Sequence, residues 1–220
     1  MNVLIFGATG MVGQGVLREC LLAPDVRLVQ TVGRTATGVR HLKLRDLVQK
    51  DLFHYANEAD FSGFDACFFC LGVSSVGMKE ADYERVTYGI TLAAAETLSR
   101  LNPRMTFIYV SGAGTDSSEK GRNMWARIKG RTENAVMRLP FKDAYMFRPG
   151  AIEASHGERS KTPAYRVFSV ALKPLLTLLR KIFPDSILTT EQIGLAMLNA
   201  ARRGAPKHVL NPKDIRLLSI

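Results

Sequence analysis

Three glycines spaced three apart, in Gly7-Ala8-Thr9-Gly10-Met11-Val12-Gly13, follow an apolar run at residues 3–6 and precede a helical pattern. That placement suits a pair of phosphates. The first glycine permits a tight turn, the second lets the backbone approach a pyrophosphate, and the third lets the helix pack close to the strand. Backbone amides and the positive end of the helix dipole then face the anion. Arg34 closes the next apolar run in Thr31-Val32-Gly33-Arg34, and no acidic residue lies between Asp25 and Asp46. A carboxylate there would accept from a ribose 2′-hydroxyl, whereas a guanidinium accommodates a 2′-phosphate. Together the two features point to a dinucleotide, NADP(H) in preference to NAD(H).

Other reactive side chains fit bland roles better. Cys67 and Cys70 lie in one apolar run, and residues three apart on a strand face opposite ways, so packing rather than a dithiol pair is expected. The four histidines show no metal-ligand spacing, and no metal is expected. His156 and Glu158 are weighed as substrate contacts against an ordinary surface loop. The polar stretch Thr115-Asp116-Ser117-Ser118-Glu119 either lines a pocket or caps the following helix.

The elements that must position these residues alternate between short apolar runs and longer helical patterns, as βαβ units require. Strands are expected at residues 3–6, 27–32, 47–52 (the weakest), 66–71, 105–110 and 144–147. Helices are expected at Met11–Leu22, 79–101 and 122–138, the first two stopping before proline-containing pairs. Six parallel strands in about 150 residues match a doubly wound nucleotide-binding core. Residues 1–150 are read as that core. Residues 151–220, with helices near 164–183 and 190–203, are read as a small, mostly helical cap completing the same domain. The fold class is therefore α/β: a Rossmann sheet of six to seven parallel strands with a C-terminal cap. The stretch 167–183 contains Lys173, Pro174, Arg180 and Lys181, which interrupt it too often for a membrane span. Packing on the core is preferred there to peripheral membrane contact.

The glycine stretch, Val32-Gly33-Arg34, Cys70-Leu71-Gly72, Tyr109-Val110-Ser111-Gly112 and Phe147-Arg148-Pro149-Gly150 occur in one order. Taken together they resemble an atypical short-chain dehydrogenase/reductase. Within that superfamily the chain is similar to the NADPH-binding branch that includes the Tat-interacting tumour suppressor and its bacterial relatives. The resemblance implies that Gly7, Thr9, Gly10, Met11, Val12 and Gly13 hold the pyrophosphate, with Arg34 at the adenosine phosphate. It implies that Asp51 and Leu52 flank adenine, and that Cys70, Leu71 and Gly72 meet the ribose. Arg148, Pro149 and Gly150 correspond to the turn beside the nicotinamide.

The reaction centre departs from that pattern. Carbonyl-reducing members carry Tyr-x-x-x-Lys, in which lysine holds the nicotinamide ribose and lowers the tyrosine pKa. The matching stretch here is Trp125-Ala126-Arg127-Ile128-Lys129, so Lys129 is present but an indole, no practical acid or base, replaces the phenol. Ser111 corresponds to the family's serine, although Gly112 competes for that place, and Thr87 falls where many relatives have an asparagine. Ser111, Trp125 and Lys129 are thus the catalytic candidates. The resemblance supports cofactor binding better than catalysis.

The leading expectation is an NADP(H)-binding oxidoreductase-like protein acting on a small carbonyl, alcohol or sugar-nucleotide. The alternative is a non-catalytic, NADP(H)-dependent sensor or protein-binding module. The net charge of +10 is uneven, with −2 over residues 1–119 and +12 over 120–220. A basic half attracts anions, but no nucleic-acid motif accompanies it. Three cysteines exclude a disulfide framework and fit a reducing compartment. With no basic, apolar leader at the start of the sequence, a cytoplasmic protein is expected.

Overall fold

The structure is a computed structural model that describes residues 1–158 and 185–220. The expected helix at 164–183, and with it the question of membrane contact at 167–183, lies outside the described residues.

Seven strands form one parallel sheet. They are β1 (Asn2–Phe6), β2 (Leu28–Gly33), β3 (Leu44–Val48), β4 (Ala66–Phe69), β5 (Thr106–Val110), β6 (Asp143–Phe147) and β9 (Val209–Leu210). Their order across the sheet is β3-β2-β1-β4-β5-β6-β9. The chain reverses direction of growth between β1 and β4, which creates the crevice where ligands bind in such sheets. Val3 to Phe6 are completely buried, as a central strand covered on both faces demands. Two further strands, β7 (Ala151–Glu153) and β8 (Ile187–Thr189), pair in parallel outside the main sheet.

One face is covered by α1 (Met11–Leu22) and α5 (Thr190–Arg203), with Val16, Leu17, Cys20, Ile193 and Met197 in the core. The other is covered by α3 (Ile90–Leu101) and α4 (Met124–Met137), through Leu92, Leu98, Ala135 and Val136. α3 continues a short helix, α2 (Glu80–Glu84), through a π-helical turn at Arg85–Gly89. A final helix, α6 (Pro212–Leu218), begins at a capping box between Asn211 and Asp214. α5 begins likewise, on Thr189 and Gln192.

α1 and α5 have the expected bounds, and the expected helix at 79–101 is interrupted by the π turn. Strand three lies earlier than the expected 47–52. Its ladder with β2 runs from Val29 and Leu44 to Gly33 and Val48. Beyond Val48 the chain turns, because Asp51 accepts from the Phe53 amide at 2.8 Å and contacts His54. The seventh strand, β9, has only two residues, too few for any periodicity to show. Cys67 joins the core on one side of the sheet and Cys70 packs on the other, so the two thiols are free and face apart. Among the described residues no group of side chains could hold a metal ion, and no helix is long and apolar enough to cross a membrane.

Candidate dinucleotide site

The residues expected to meet a dinucleotide lie at or just beyond the C-terminal ends of β1, β2, β3, β4, β5 and β6, and on α4. The turn from β1 to α1 sits at the centre of the crevice. Gly7 has φ of +77°, a conformation that a side chain resists, and a Cβ there would lie 2.6 Å from the Leu71 nitrogen. A Cβ on Gly13 would lie 2.1 Å from the Gly7 carbonyl oxygen. Both glycines are therefore demanded by the protein's own packing. Gly10 differs. Its φ and ψ of −82° and 163° are open to any residue, and a Cβ would meet only the Gly7 oxygen, at 3.3 Å. The space in front of Gly10 is left by no internal requirement, which is the property a pyrophosphate cradle needs.

The first turn of α1 supplies the donors. Gly10 is the N-cap and offers no side chain to the amides of Met11, Val12 and Gly13, and no acidic residue lies in that turn. Gln14 donates through Nε2 to the Thr9 carbonyl at 3.0 Å, fixing the turn from within. Among the described residues no side chain caps these amides, so they and the helix dipole are open to an anion with no carboxylate in the turn.

Arg34 directly follows β2 and is exposed. Behind it Asp46 ties the β2–β3 connection to the sheet, accepting from the hydroxyl of Thr31 and from the amide and hydroxyl of Thr37, at 3.0 and 2.9 Å. Sequence reading missed Asp46; its place opposite Thr31 in the β2–β3 ladder is a matter of register. Leu52 is buried and Asp51 exposed. Cys70 continues β4 by donating its amide to the Phe6 carbonyl at 2.9 Å, and Leu71 lies against Gly7. Arg148, Pro149 and Gly150 follow β6.

Ser111 and Lys129 come together. Lys129 Nζ donates to the Ser111 carbonyl at 2.7 Å, with the Tyr109 ring 5.8 Å away. Burial lowers the Lys129 pKa to about 8, against the opposing attraction of Glu133. Trp125 stands one helical turn before Lys129, half-buried, beside Gly114 of the loop after β5.

The residue that organises this corner is Glu133, which sequence reading did not single out. Its side chain is fully buried. It accepts from the Ser111 hydroxyl and from Arg148, whose Nε lies 3.0 Å from Oε1. The guanidinium closes the pair through a second nitrogen and also donates to the Ser117 hydroxyl. Ser111 further contacts the Phe147 carbonyl at 3.2 Å. The spacing from Lys129, one helical turn, could have suggested a shared face, but nothing local marks a glutamate as buried. The polar loop at 115–119 is folded around Asp116, which accepts from the amides of Ser118, Lys120 and Gly121. His156 pairs with Glu191 at 3.0 Å, on the β7–β8 side of the fold.

The sheet order, the helices on both faces and the glycine turn define an α/β protein of the Rossmann type. No family model matches the chain. Among solved structures, the Bordetella bronchiseptica enzyme WbmF in complex with NAD+ superposes with a TM-score of 0.71, covering 99% of this chain and 76% of that one at 16% identity. A short-chain dehydrogenase/reductase superfamily protein from Agrobacterium tumefaciens with bound NAD gives 0.68, over 96% and 77%, at 13% identity. MoeE5 in complex with UDP-glucose and NAD gives 0.69, over 95% and 74%, at 14% identity. Among curated sequences, protein FMP52-2, mitochondrial, of Scheffersomyces stipitis is 28% identical over 164 residues, 73% of this chain and 69% of that protein. Protein fmp52, mitochondrial, of Emericella nidulans is 26% identical over 208 residues, 90% and 86% respectively. These names overturn the cytoplasmic expectation. Compartment is set by targeting signals, which a folded core does not display.

Proposed function

We propose that the protein is an NADP(H)-binding, oxidoreductase-like member of the atypical short-chain dehydrogenase/reductases, in the manner of the branch its motifs resemble. The observation that carries this reading is the contrast within the glycine turn. Gly7 and Gly13 are required by packing, whereas Gly10 leaves open space before the first-turn amides of α1, which no side chain caps among the described residues. Gly7, Thr9, Gly10, Met11, Val12 and Gly13 hold the pyrophosphate, and Arg34 takes the 2′-phosphate. Asp51 and Leu52 flank adenine; Cys70, Leu71 and Gly72 line the ribose, with Lys129 and the Arg148-Pro149-Gly150 turn at the nicotinamide end. The NAD held by the solved structures of the same fold supports a nicotinamide dinucleotide. When bound, such a group supplies or accepts hydride; the protein supplies orientation and charge.

A second reading, a non-catalytic NADP(H)-dependent sensor, is favoured by one observation. Trp125 has no transferable proton, and the Ser111 hydroxyl is committed to Glu133. Calorimetry separates the cofactor question from the catalytic one. NADPH is expected to bind more tightly than NADH, and Arg34→Ala to remove most of the difference. Hydrogen bonds to a charged group are worth about 1.5–3 kcal/mol, or roughly 10- to 150-fold. Equal affinity for the two cofactors in the unmodified protein refutes the assignment of Arg34. Cofactor binding without turnover of any acceptor selects the sensor.

A further inference from the structure

Between β2 and β3 the chain crosses as a loop, residues 34–43, and the structure holds that loop at spaced points. The Gly33 carbonyl accepts from the Gln49 amide at 2.9 Å, and the His41 carbonyl accepts from the Leu44 amide at 3.0 Å. Lys43 Nζ donates to the carbonyls of Leu21 and Ala23 at 3.2 and 2.7 Å, tying the far end of the loop to the close of α1. Midway, Asp46 Oδ2 accepts from the Thr37 amide at 3.0 Å and from its hydroxyl at 2.9 Å. Between the anchors at Gly33 and Thr37 the chain forms a short arch, Arg34-Thr35-Ala36, and all of it is exposed. Among the described residues, the Arg34 guanidinium and the amides of Thr35 and Ala36 have no protein partner.

A carboxylate at the end of β2 is the group that serves a ribose 2′-hydroxyl. Register brings Asp46 beside that end, opposite Thr31. Asp46 nevertheless faces inward: Oδ1 accepts from the Thr31 hydroxyl, and Oδ2 carries both Thr37 bonds. A carboxylate has room for about four such bonds, so most of its capacity is spent on the protein. What it fixes is the foot of the arch. A guanidinium grips a phosphate through paired N–H bonds, and that geometry is lost if the backbone beneath it swings. A loop fixed before binding also spares the ligand the entropy of ordering it.

Building on the NADP(H) reading above, we propose that Asp46 is a positioning residue for cofactor choice: by fixing Thr37 it holds Arg34 and the two free amides as a preformed arch for the 2′-phosphate. Asp46 acts through the arch and does not touch the cofactor. NADH has no 2′-phosphate and gains nothing from the arch. Loss of Asp46 therefore separates the two cofactors, whereas loss of a merely structural residue weakens both alike.

The test is calorimetry on the full chain with NADPH and NADH, with urea midpoints as the check on folding. Asp46→Ala is expected to weaken NADPH by roughly tenfold or more, and NADH by less than about twofold. Asp46→Asn keeps an oxygen for Thr37 and a donor for the Thr31 oxygen, so NADPH should stay within about threefold of the unmodified protein. In the Arg34→Ala background, Asp46→Ala should change NADPH affinity by less than about threefold, because residues that act as one unit are not additive. If Asp46→Ala does not fold, Thr37→Val takes its place; it removes the hydroxyl bond alone, and should cost NADPH roughly threefold and leave NADH unchanged. Parallel losses for the two cofactors overturn the role of Asp46, as does unchanged NADPH affinity in the variant that folds. So does an Asp46→Asn loss equal to that of Asp46→Ala, or full additivity with Arg34→Ala. Each of these leaves the cofactor reading standing. An unmodified protein that binds the two cofactors equally, or binds neither, removes the assignment of Arg34 and the role of Asp46 together.

Discussion

Gly13→Ala and Gly10→Val are expected to fail in opposite ways, and the difference follows from where each new Cβ points. At Gly13 the Cβ would lie 2.1 Å from the Gly7 oxygen, well inside any tolerated contact, so α1 must move outward from the sheet. α1 carries Val16, Leu17 and Cys20 into the core, and all three must shift with it. Forcing extra volume into a packed core costs about 1–3 kcal/mol, and moving a whole helix places this case at the upper end. Replacing a helical glycine by alanine returns about 1 kcal/mol of propensity, so the net loss is about 2 kcal/mol. For a chain of this length that lowers Tm by roughly 4–8 °C. At Gly10 the added side chain meets one oxygen at 3.3 Å and adopts an ordinary extended conformation. Its cost is that of a poorer N-cap, about 1 kcal/mol or less. Gly10→Val should therefore fold with nearly unchanged thermal and urea midpoints while losing at least 100-fold in NADPH affinity by calorimetry. Gly13→Ala should show the lower midpoint. If Gly10→Val binds NADPH as before, or is destabilised as much as Gly13→Ala, the space before Gly10 is not a ligand's.

The buried ion pair should be costly to break: Glu133→Ala leaves the Arg148 guanidinium without its carboxylate and the Ser111 hydroxyl with only the Phe147 carbonyl. A loss of about 3–5 kcal/mol is expected in urea unfolding. A loss below about 1 kcal/mol would show the network to be solvated. Lys129 predicts a pH dependence of definite sign. Its folded pKa, about 8, lies below its ordinary value of 10.5, so burial penalises the folded state fully below pH 8. The unfolded chain binds the extra proton between pH 8 and 10.5, and stability gains up to about 3 kcal/mol as pH rises through that window. Subtracting the curve of Lys129→Met should isolate this slope, and coincident slopes would refute it. Trp125→Tyr restores a phenol four residues before Lys129, and should raise NADPH-dependent turnover of simple carbonyls by about 10²–10⁴, the usual worth of a general acid. No gain over the carbonyl panel would mean that Ser111 and Lys129 are not arranged for that chemistry.

What could be read along the chain is what short-range physics determines. A glycine repeat between an apolar run and a helical pattern specifies one turn. The Ala23-Pro24 pair bounds α1, and continuous apolar runs mark the buried central strands. The sequence therefore determined the βα turn, the parallel sheet and the ends of the strands where Arg34, Cys70, Ser111 and Arg148 sit. β3 was misplaced because an edge strand is half solvated and carries a weak pattern, leaving its register to pairing with β2. β9 was missed because a two-residue strand exists only through its partner β6. The buried centre of the site belongs wholly to the tertiary structure. Glu133 is 22 residues from Ser111 and 15 from Arg148, and in a sequence each charge reads as a solvated one. Only the packing of α4 against β5 and β6 removes water from all three at once. Once water is gone, an unpaired charge is too costly to keep, and the pairing of Glu133 with Arg148 and Ser111 follows.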